Sequence, residues 1–308
     1  MSFRVLVTGS AGLVGTALRC ALRERGHDVA GLDLRGEGPE RGDVRDPDCV
    51  RRAVDGCHGV VHLAAVSRVI WGEREPALCR ETNVGGLQNV LTAAAESAAP
   101  PWLIFASSRE VYGEPGADDM PVGEDAPLRP VNVYGQTKVE GEQLVTAARA
   151  RGVRTAIVRL SNVYGGFPDH GDRVVPAFVH AAVRGLPLRV DGAGHTFDFT
   201  HLDDTTRGLM ALVELLRAGS AAPPPVHLLT GMATTLGELA QLAVELSGSE
   251  PASAIVEAPA RTFDVGRFVG DPRRARQLLD WRPTITIRDG LARYANAVRD
   301  RLTAGGTR

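Results

Sequence analysis

Tyr134 and Lys138 stand four residues apart, and Lys138 is the only lysine among 35 lysines and arginines. On a helix that spacing puts both side chains on one face, one turn apart. An ammonium beside a phenol favours the phenolate, and it can also donate to a ribose hydroxyl, a task the larger planar guanidinium suits less well. Tyr134 is therefore a candidate general base with Lys138 as its partner; the plainer alternative is a surface lysine beside a half-buried tyrosine. Ser108 ends an apolar run and offers a hydroxyl to the same oxygen. Glu110, two residues on, counts with the catalytic candidates as a carboxylate that positions substrate. Arg109, between them, can fork to a substrate carboxylate or lie solvated.

Other elements must bring these groups together. Phe3 to Thr8 reads as a strand, Gly9-Ser-Ala-Gly12-Leu13-Val14-Gly15 as a turn into a helix, and Leu13, Ala17 and Ala21 with Val14, Leu18 and Leu22 as that helix's apolar stripe, stopped by Gly26. In such a unit Gly9 makes the tight turn, Gly12 lets backbone approach a pyrophosphate, and Gly15 lets the helix pack on the strand. Asp33 ends the next strand about twenty residues past the glycines, where a carboxylate accepts from ribose hydroxyls and repels a 2′-phosphate. The cofactor expected is NAD, with Arg35 pulling toward NADP. Asp43-Val44 precedes a further helix, and Leu63-Ala64-Ala65 closes a buried strand with small residues against which a flat cofactor can lie. Thr82 onward reads as one long helix, and Trp102 to Ser108 as another buried strand. Strands alternating with helices predict an α/β fold with a doubly wound parallel sheet, the Rossmann arrangement.

A chain of 308 residues exceeds one simple domain, so a smaller C-terminal α/β substrate lobe is expected. Residues 1–165 with a return segment at about 196–230 form the cofactor domain in this reading, and 166–195 with 231–308 the lobe. A formal charge of −2 without a dense basic run argues against nucleic acid or an anionic membrane as partner. No apolar run reaches membrane-spanning length and a strand begins at Phe3, so no signal peptide and a cytoplasmic location are expected. Cys20, Cys49, Cys57 and Cys79 lack metal or redox spacing, and no metal is expected. Glu114 to Val131 reads as a long polar loop joining Ser108 to Tyr134, either a cover for the site or a passive connection. Phe197 to Asp204 returns toward the main domain and caps a helix with a carboxylate, and Thr235-Leu-Gly-Glu238 is a capping box.

The glycines at 9–15, Asp33, Asp43-Val44, His62-Leu63-Ala64-Ala65, Asn83-Val-x-Gly, Ser107-Ser108-Arg109-Glu110-Val-Tyr-Gly113, Tyr134-x-x-x-Lys138 and Arg159-Leu-Ser-Asn162-Val-Tyr-Gly165 occur in one order. That order resembles the extended short-chain dehydrogenases/reductases, in particular their nucleotide-sugar 4-epimerase and dehydratase branch, over nearly the whole chain. The resemblance implies that Tyr134 is the base, Ser108 holds the carbinol oxygen, Lys138 anchors the nicotinamide ribose and Asn83 belongs to the cofactor site. It further implies that the lobe binds a nucleoside-diphosphate sugar. Asn162 would reach the sugar or phosphate, Val174 and Arg189 would line the nucleotide, and Arg261 and Asp264 would meet the diphosphate, with Arg173 in support. Phe197 and Asp191 depart from the family pattern, where an arginine and an aromatic residue are usual. Ser108-Arg109-Glu110 stands where dehydratases carry Thr-Asp-Glu and decarboxylases Thr-Ser-Glu; Arg109 cannot readily supply a proton, which disfavours 4,6-dehydration and leaves decarboxylation open. The expected function is NAD-dependent 4-epimerisation of a UDP-hexose or UDP-uronate. Its rivals are a uronate decarboxylase, a 4-ketoreductase and a dinucleotide-sensing regulator, and a homodimer through helices that include the Tyr134 helix is expected.

Overall fold

The computed structural model describes residues 3–167, 169–249, 253–260 and 265–305. β1 (Arg4–Thr8) leads into α1 (Leu13–Glu24), β2 (Asp28–Leu32), α2 (Pro47–Val54), β3 (Gly59–His62), α3 (Val69–Arg74), α4 (Pro76–Arg80), α5 (Gly86–Glu96), β4 (Trp102–Ser108), α6 (Val133–Ala150) and β5 (Thr155–Leu160). Then come β6 (Asn162–Tyr164), α7 (Val174–Val183), β7 (Leu188–Asp191), β8 (Thr196–Phe197), β9 (Phe199–His201), α8 (Leu202–Arg217), β10 (Val226–Leu228), β11 (Thr234–Thr235), α9 (Leu236–Ser247), β12 (Ile255–Ala258), α10 (Arg273–Leu279) and α11 (Ile287–Gly305).

Six strands pair in parallel in the order β10-β5-β4-β3-β1-β2. Every residue of β3 and β4 is buried, as a parallel sheet covered on both faces requires. Alternate residues serve opposite faces. Val5, Val7 and Ile104 pack with Leu209 and Leu212 of α8, while Leu6, Leu103 and Phe105 pack with Leu87 of α5 and Val145 of α6. The strand order reverses between β1 and β3, so a crevice opens at their carboxyl ends. A separate core of Phe178, Val179, Leu188, Leu239, Leu291 and Tyr294 holds the smaller lobe together. Ala275 and Trp281, inside the stretch expected for the lobe, pack instead in the core of the main sheet.

Two local expectations change, and one left open is narrowed. The helix read from Thr82 begins in a widened turn over Glu81–Gly85. The cap of α8 is an imidazole and not a carboxylate: His201 Nδ1 accepts from Asp203 N at 3.2 Å. Residues 114–131 are a pinned connection that contributes nothing to the cleft lining. Glu114 Oε2 accepts from Gly266 N at 2.7 Å, Val122 N donates to Val269 O at 2.8 Å, and Glu124 Oε1 accepts from His227 N at 3.0 Å. The Thr235 and Glu238 capping box forms as expected.

A buried ionic network ties α6 to β5. Arg159 Nε and Nη2 donate to the two oxygens of Glu142 at 2.8 and 2.6 Å. Arg159 Nη1 donates to Tyr112 Oη at 2.6 Å and Glu124 O at 2.7 Å, and Ser107 Oγ donates to Glu142 Oε1 at 2.5 Å. The Arg159 and Glu142 side chains are only 4% and 6% exposed, so removing one strands the other's charge away from water. Arg159→Ala should therefore cost about 3–5 kcal/mol in urea unfolding. Arg288→Ala, which breaks the exposed pair with Glu245, should leave the midpoint within error.

Candidate active site

The crevice between β1 and β3 widens into a cleft of about 840 Å³. Gly9 has a φ of +68°, a Cβ there would lie 2.8 Å from Ala64 N, and a Cβ on Gly15 would lie 2.1 Å from Gly9 O. Such approach excludes any side chain, leaving bare backbone at the N-terminus of α1, the arrangement that suits a pyrophosphate. Asp33 Oδ2 accepts from Ala11 N at 3.0 Å and Oδ1 from Arg35 N at 2.8 Å. Arg35 Nε lies 3.6 Å from the same carboxylate, so its charge is turned onto Asp33.

Every expected cofactor residue except Asn83 lines this cleft: Gly9, Gly12, Leu13, Val14, Gly15, Asp33, Asp43, Val44, Leu63, Ala64, Ala65, Tyr134 and Lys138. Asp43 is gripped by Arg45, whose Nε and Nη2 donate to Oδ2 at 2.9 and 2.6 Å and hold that carboxyl below its usual range. Asn83 does not line the cleft. It is buried behind the cleft wall, where Oδ1 accepts from Val66 N at 2.8 Å and Nδ2 donates to Thr137 Oγ1 at 2.9 Å. It joins the loop after β3 to α6 and so positions the wall.

At the other end Ser108, Tyr134 and Lys138 face the same cleft. Asn132 starts the helix that carries two of them, its Oδ1 accepting from Gly135 N at 2.8 Å. Burial pushes the Tyr134 phenol up to about 12, with a side-chain hydrogen bond with Ser108 and the charge of Arg173 working against it. Burial lowers Lys138 to about 8, opposed by Cys79 and Glu142. Lys138 Nζ donates to Ala106 O at 2.8 Å and stands 5.6 Å from the Tyr134 ring centre. The expected acidification of the phenol by Lys138 is thus outweighed, within the protein's own groups, by desolvation.

Glu110 lines the same cleft and is held by protein on both sides. Its Oε1 pairs with Arg109 Nη2 at 2.9 Å and its Oε2 accepts from Asn132 Nδ2 at 2.8 Å, so both oxygens are engaged by protein and the residue positions its neighbours. Arg109, Asn162, Arg173, Val174 and Arg189 also line the cleft. Arg189 is largely exposed and donates to Asp191 Oδ1 at 2.8 Å. Arg261 and Asp264 lie outside the described residues. Two loops meet across the cleft without any forewarning in the sequence: Arg68 pairs with Asp172, Arg173 Nη2 donates to Ser67 Oγ at 3.2 Å, and Trp71 packs edge-on to His170. Glu142, also missed, was visible as a carboxylate one turn beyond Lys138. Among the described residues no cluster fits a metal ion and no helix is long and apolar enough to cross a membrane.

A glycine cradle, a carboxylate at the end of β2 and a Ser/Tyr/Lys cluster line one cleft, the arrangement of a dinucleotide-binding site. The sequence profile of the NAD dependent epimerase/dehydratase family matches residues 5–223, and the chain belongs to that family. Its cofactor is accordingly NAD, and it is an enzyme of the nucleotide-sugar epimerase/dehydratase class. Among curated relatives it is 30% identical to the UDP-glucose 4-epimerase of Streptomyces lividans, over 92% of each chain. It is also 30% identical to UDP-glucuronic acid decarboxylase 1 of Arabidopsis thaliana, over 97% of this chain and 70% of that one. Among solved structures MoeE5 in complex with UDP-glucuronic acid and NAD superposes with a TM-score of 0.87 at 29% identity, over 97% of this chain and 99% of that one.

Burial of Lys138 has a stability consequence with a definite sign. Its folded pKa of about 8 lies below the ordinary 10.5, so below pH 8 both states are protonated and the penalty is complete. Between those values the unfolded chain binds the extra proton, and stability rises with pH. Lys138→Met should raise the melting temperature at pH 7 and lose this rise between pH 8 and 10, as measured by thermal melts beside the wild type.

Proposed function

We propose that the protein is an NAD-dependent nucleotide-sugar 4-epimerase acting on a UDP-hexose or UDP-uronate by transient oxidation at C4. The convergence of Ser108, Tyr134 and Lys138 on the cleft that carries the Gly9 to Gly15 turn supports this most directly. NAD, when bound, supplies the hydride acceptor and a positively charged ring. Tyr134 takes the proton from the C4 hydroxyl, Ser108 holds that oxygen, and Lys138 donates to the nicotinamide ribose while adding positive charge near the phenol. After the 4-keto sugar has turned over, hydride would return to the opposite face of C4 and Tyr134 would give the proton back to the oxygen, which inverts C4 and leaves the cofactor as it began. Asn162, Val174, Arg173 and Arg189 hold the nucleotide and its phosphates, and the burial around Tyr134 excludes water from the proton transfer. A homodimer through α6 remains part of this reading.

A second reading is decarboxylation of a UDP-uronate after the same first oxidation. It is favoured by the decarboxylase relative at 30% identity and by Glu110 at the third place of Ser108-Arg109-Glu110.

NMR of UDP-, dTDP- and CDP-sugars, uronic acids included, separates the two. A new H4 signal of inverted configuration with no carbon dioxide is the expected result, and released carbon dioxide would transfer the assignment to decarboxylation. Tyr134→Phe should lower turnover by about 10²–10⁴-fold while NAD still co-purifies. Lys138→Arg, despite keeping the charge, should cost about tenfold or more, roughly 1.4 kcal/mol. Wild-type rates in that variant would remove the role given to Lys138.

A further inference from the structure

We propose that Arg109 reads a carboxylate on the sugar, which makes the substrate of this site a nucleoside-diphosphate uronate; the inference rests on the reading of the site as one that oxidises the sugar at C4. Arg109 follows Ser108 directly in the chain and lines the same cleft. Its side chain is 10% exposed and is held on one edge by Glu110 Oε1 at 2.9 Å. Its guanidinium carbon sits 4.6 Å from the centre of the Phe197 ring and 5.9 Å from that of Phe268. Nη1 has no hydrogen-bond partner. An unmet donor on a buried cation is costly, and the acceptor whose geometry matches a guanidinium fork is a carboxylate. Glu110 is not free to supply both contacts, because Asn132 Nδ2 holds its other oxygen at 2.8 Å. The two phenylalanine rings and Glu110 set the guanidinium plane before any ligand arrives, which lowers the ordering cost of binding.

Sugar geometry chooses between the two anions of such a substrate. The diphosphate hangs from C1, across the ring from C4. A uronate carboxylate hangs from C5, the carbon next to C4. An arginine adjacent in the chain to the serine that holds O4 is therefore placed for the C5 substituent, while the diphosphate lies toward the N-terminus of α7 and Arg189. The C6 hydroxyl of a neutral hexose offers a single acceptor with no charge, a poorer match for the same group.

Calorimetric titration of the NAD-loaded full chain with UDP-glucuronate, UDP-glucose and UDP tests this. UDP-glucuronate should bind about tenfold or more tightly than UDP-glucose. Arg109→Gln should reduce that preference about tenfold or more, and Arg109→Lys, with the charge but not the fork, should recover part of it. Equal weakening of UDP-glucuronate and UDP in Arg109→Gln would reassign the residue to the diphosphate and overturn the proposal; so would a wild-type preference for UDP-glucose. Thermal melting and co-purified NAD report whether Arg109→Gln folds; if it does not, Arg109→Lys and the wild-type preference decide. Binding is read without turnover, so a retained preference for the uronate in a protein that epimerises nothing supports the Arg109 assignment and sinks only the C4 reading.

Discussion

An ammonium taken out of water is expensive, and the structure around β4 and α6 is arranged to offset the cost of one. Lys138 is 3% exposed. The carbonyl of Ala106 accepts from it, the face of Phe105 lies 5.0 Å away, and Glu142 adds negative charge one turn along the helix. Arg159 takes both oxygens of Glu142, and Arg159 in turn gives Nη1 to Tyr112 and Glu124. Tyr112 passes the requirement to His227, whose Nε2 lies 2.6 Å from the tyrosine oxygen. One cationic side chain thus sets demands on α6, β5, β10 and the connection before α6. The polar interior beneath the site is one linked system, and its members are as constrained as the residues that face substrate.

The parts legible in the sequence were those whose cause is local. The glycine turn, the apolar run of β4, the Asp33 spacing and the Thr235 to Glu238 box each depend on residues within one or two turns of chain, and each lies where expected. Asn83, Glu110 and the cap of α8 have partners that the sequence does not announce. Val66 and Thr137 claim the amide of Asn83, Arg109 and Asn132 claim the carboxylate of Glu110, and the backbone of Asp203 claims the ring of His201. Burial also reversed an inference drawn from charge alone. An adjacent ammonium lowers a phenol's pKa in water, yet desolvation of both groups raises that of Tyr134 and lowers that of Lys138.

Equal identity to an epimerase and to a decarboxylase means that overall likeness does not set the reaction. Around the cleft of this chain, Arg109 and Glu110 form an ion pair beside Ser108, clamped by two phenylalanine rings and by the cap of α6. Phe197 therefore has a structural partner that explains an aromatic residue at that place. Its ring supports a guanidinium supplied from the turn that follows β4.

The pairing of Arg68 with Asp172 joins segments 104 positions apart, and the arginine side chain is only 12% exposed. A neutral replacement at 172 would leave a largely desolvated cation facing the cleft. A lobe grafted onto this cofactor domain would therefore have to bring an acid to that position, or its own loop to replace the one that carries Arg68. Modularity in this architecture accordingly stops at the rim of the cleft, although each half has its own core.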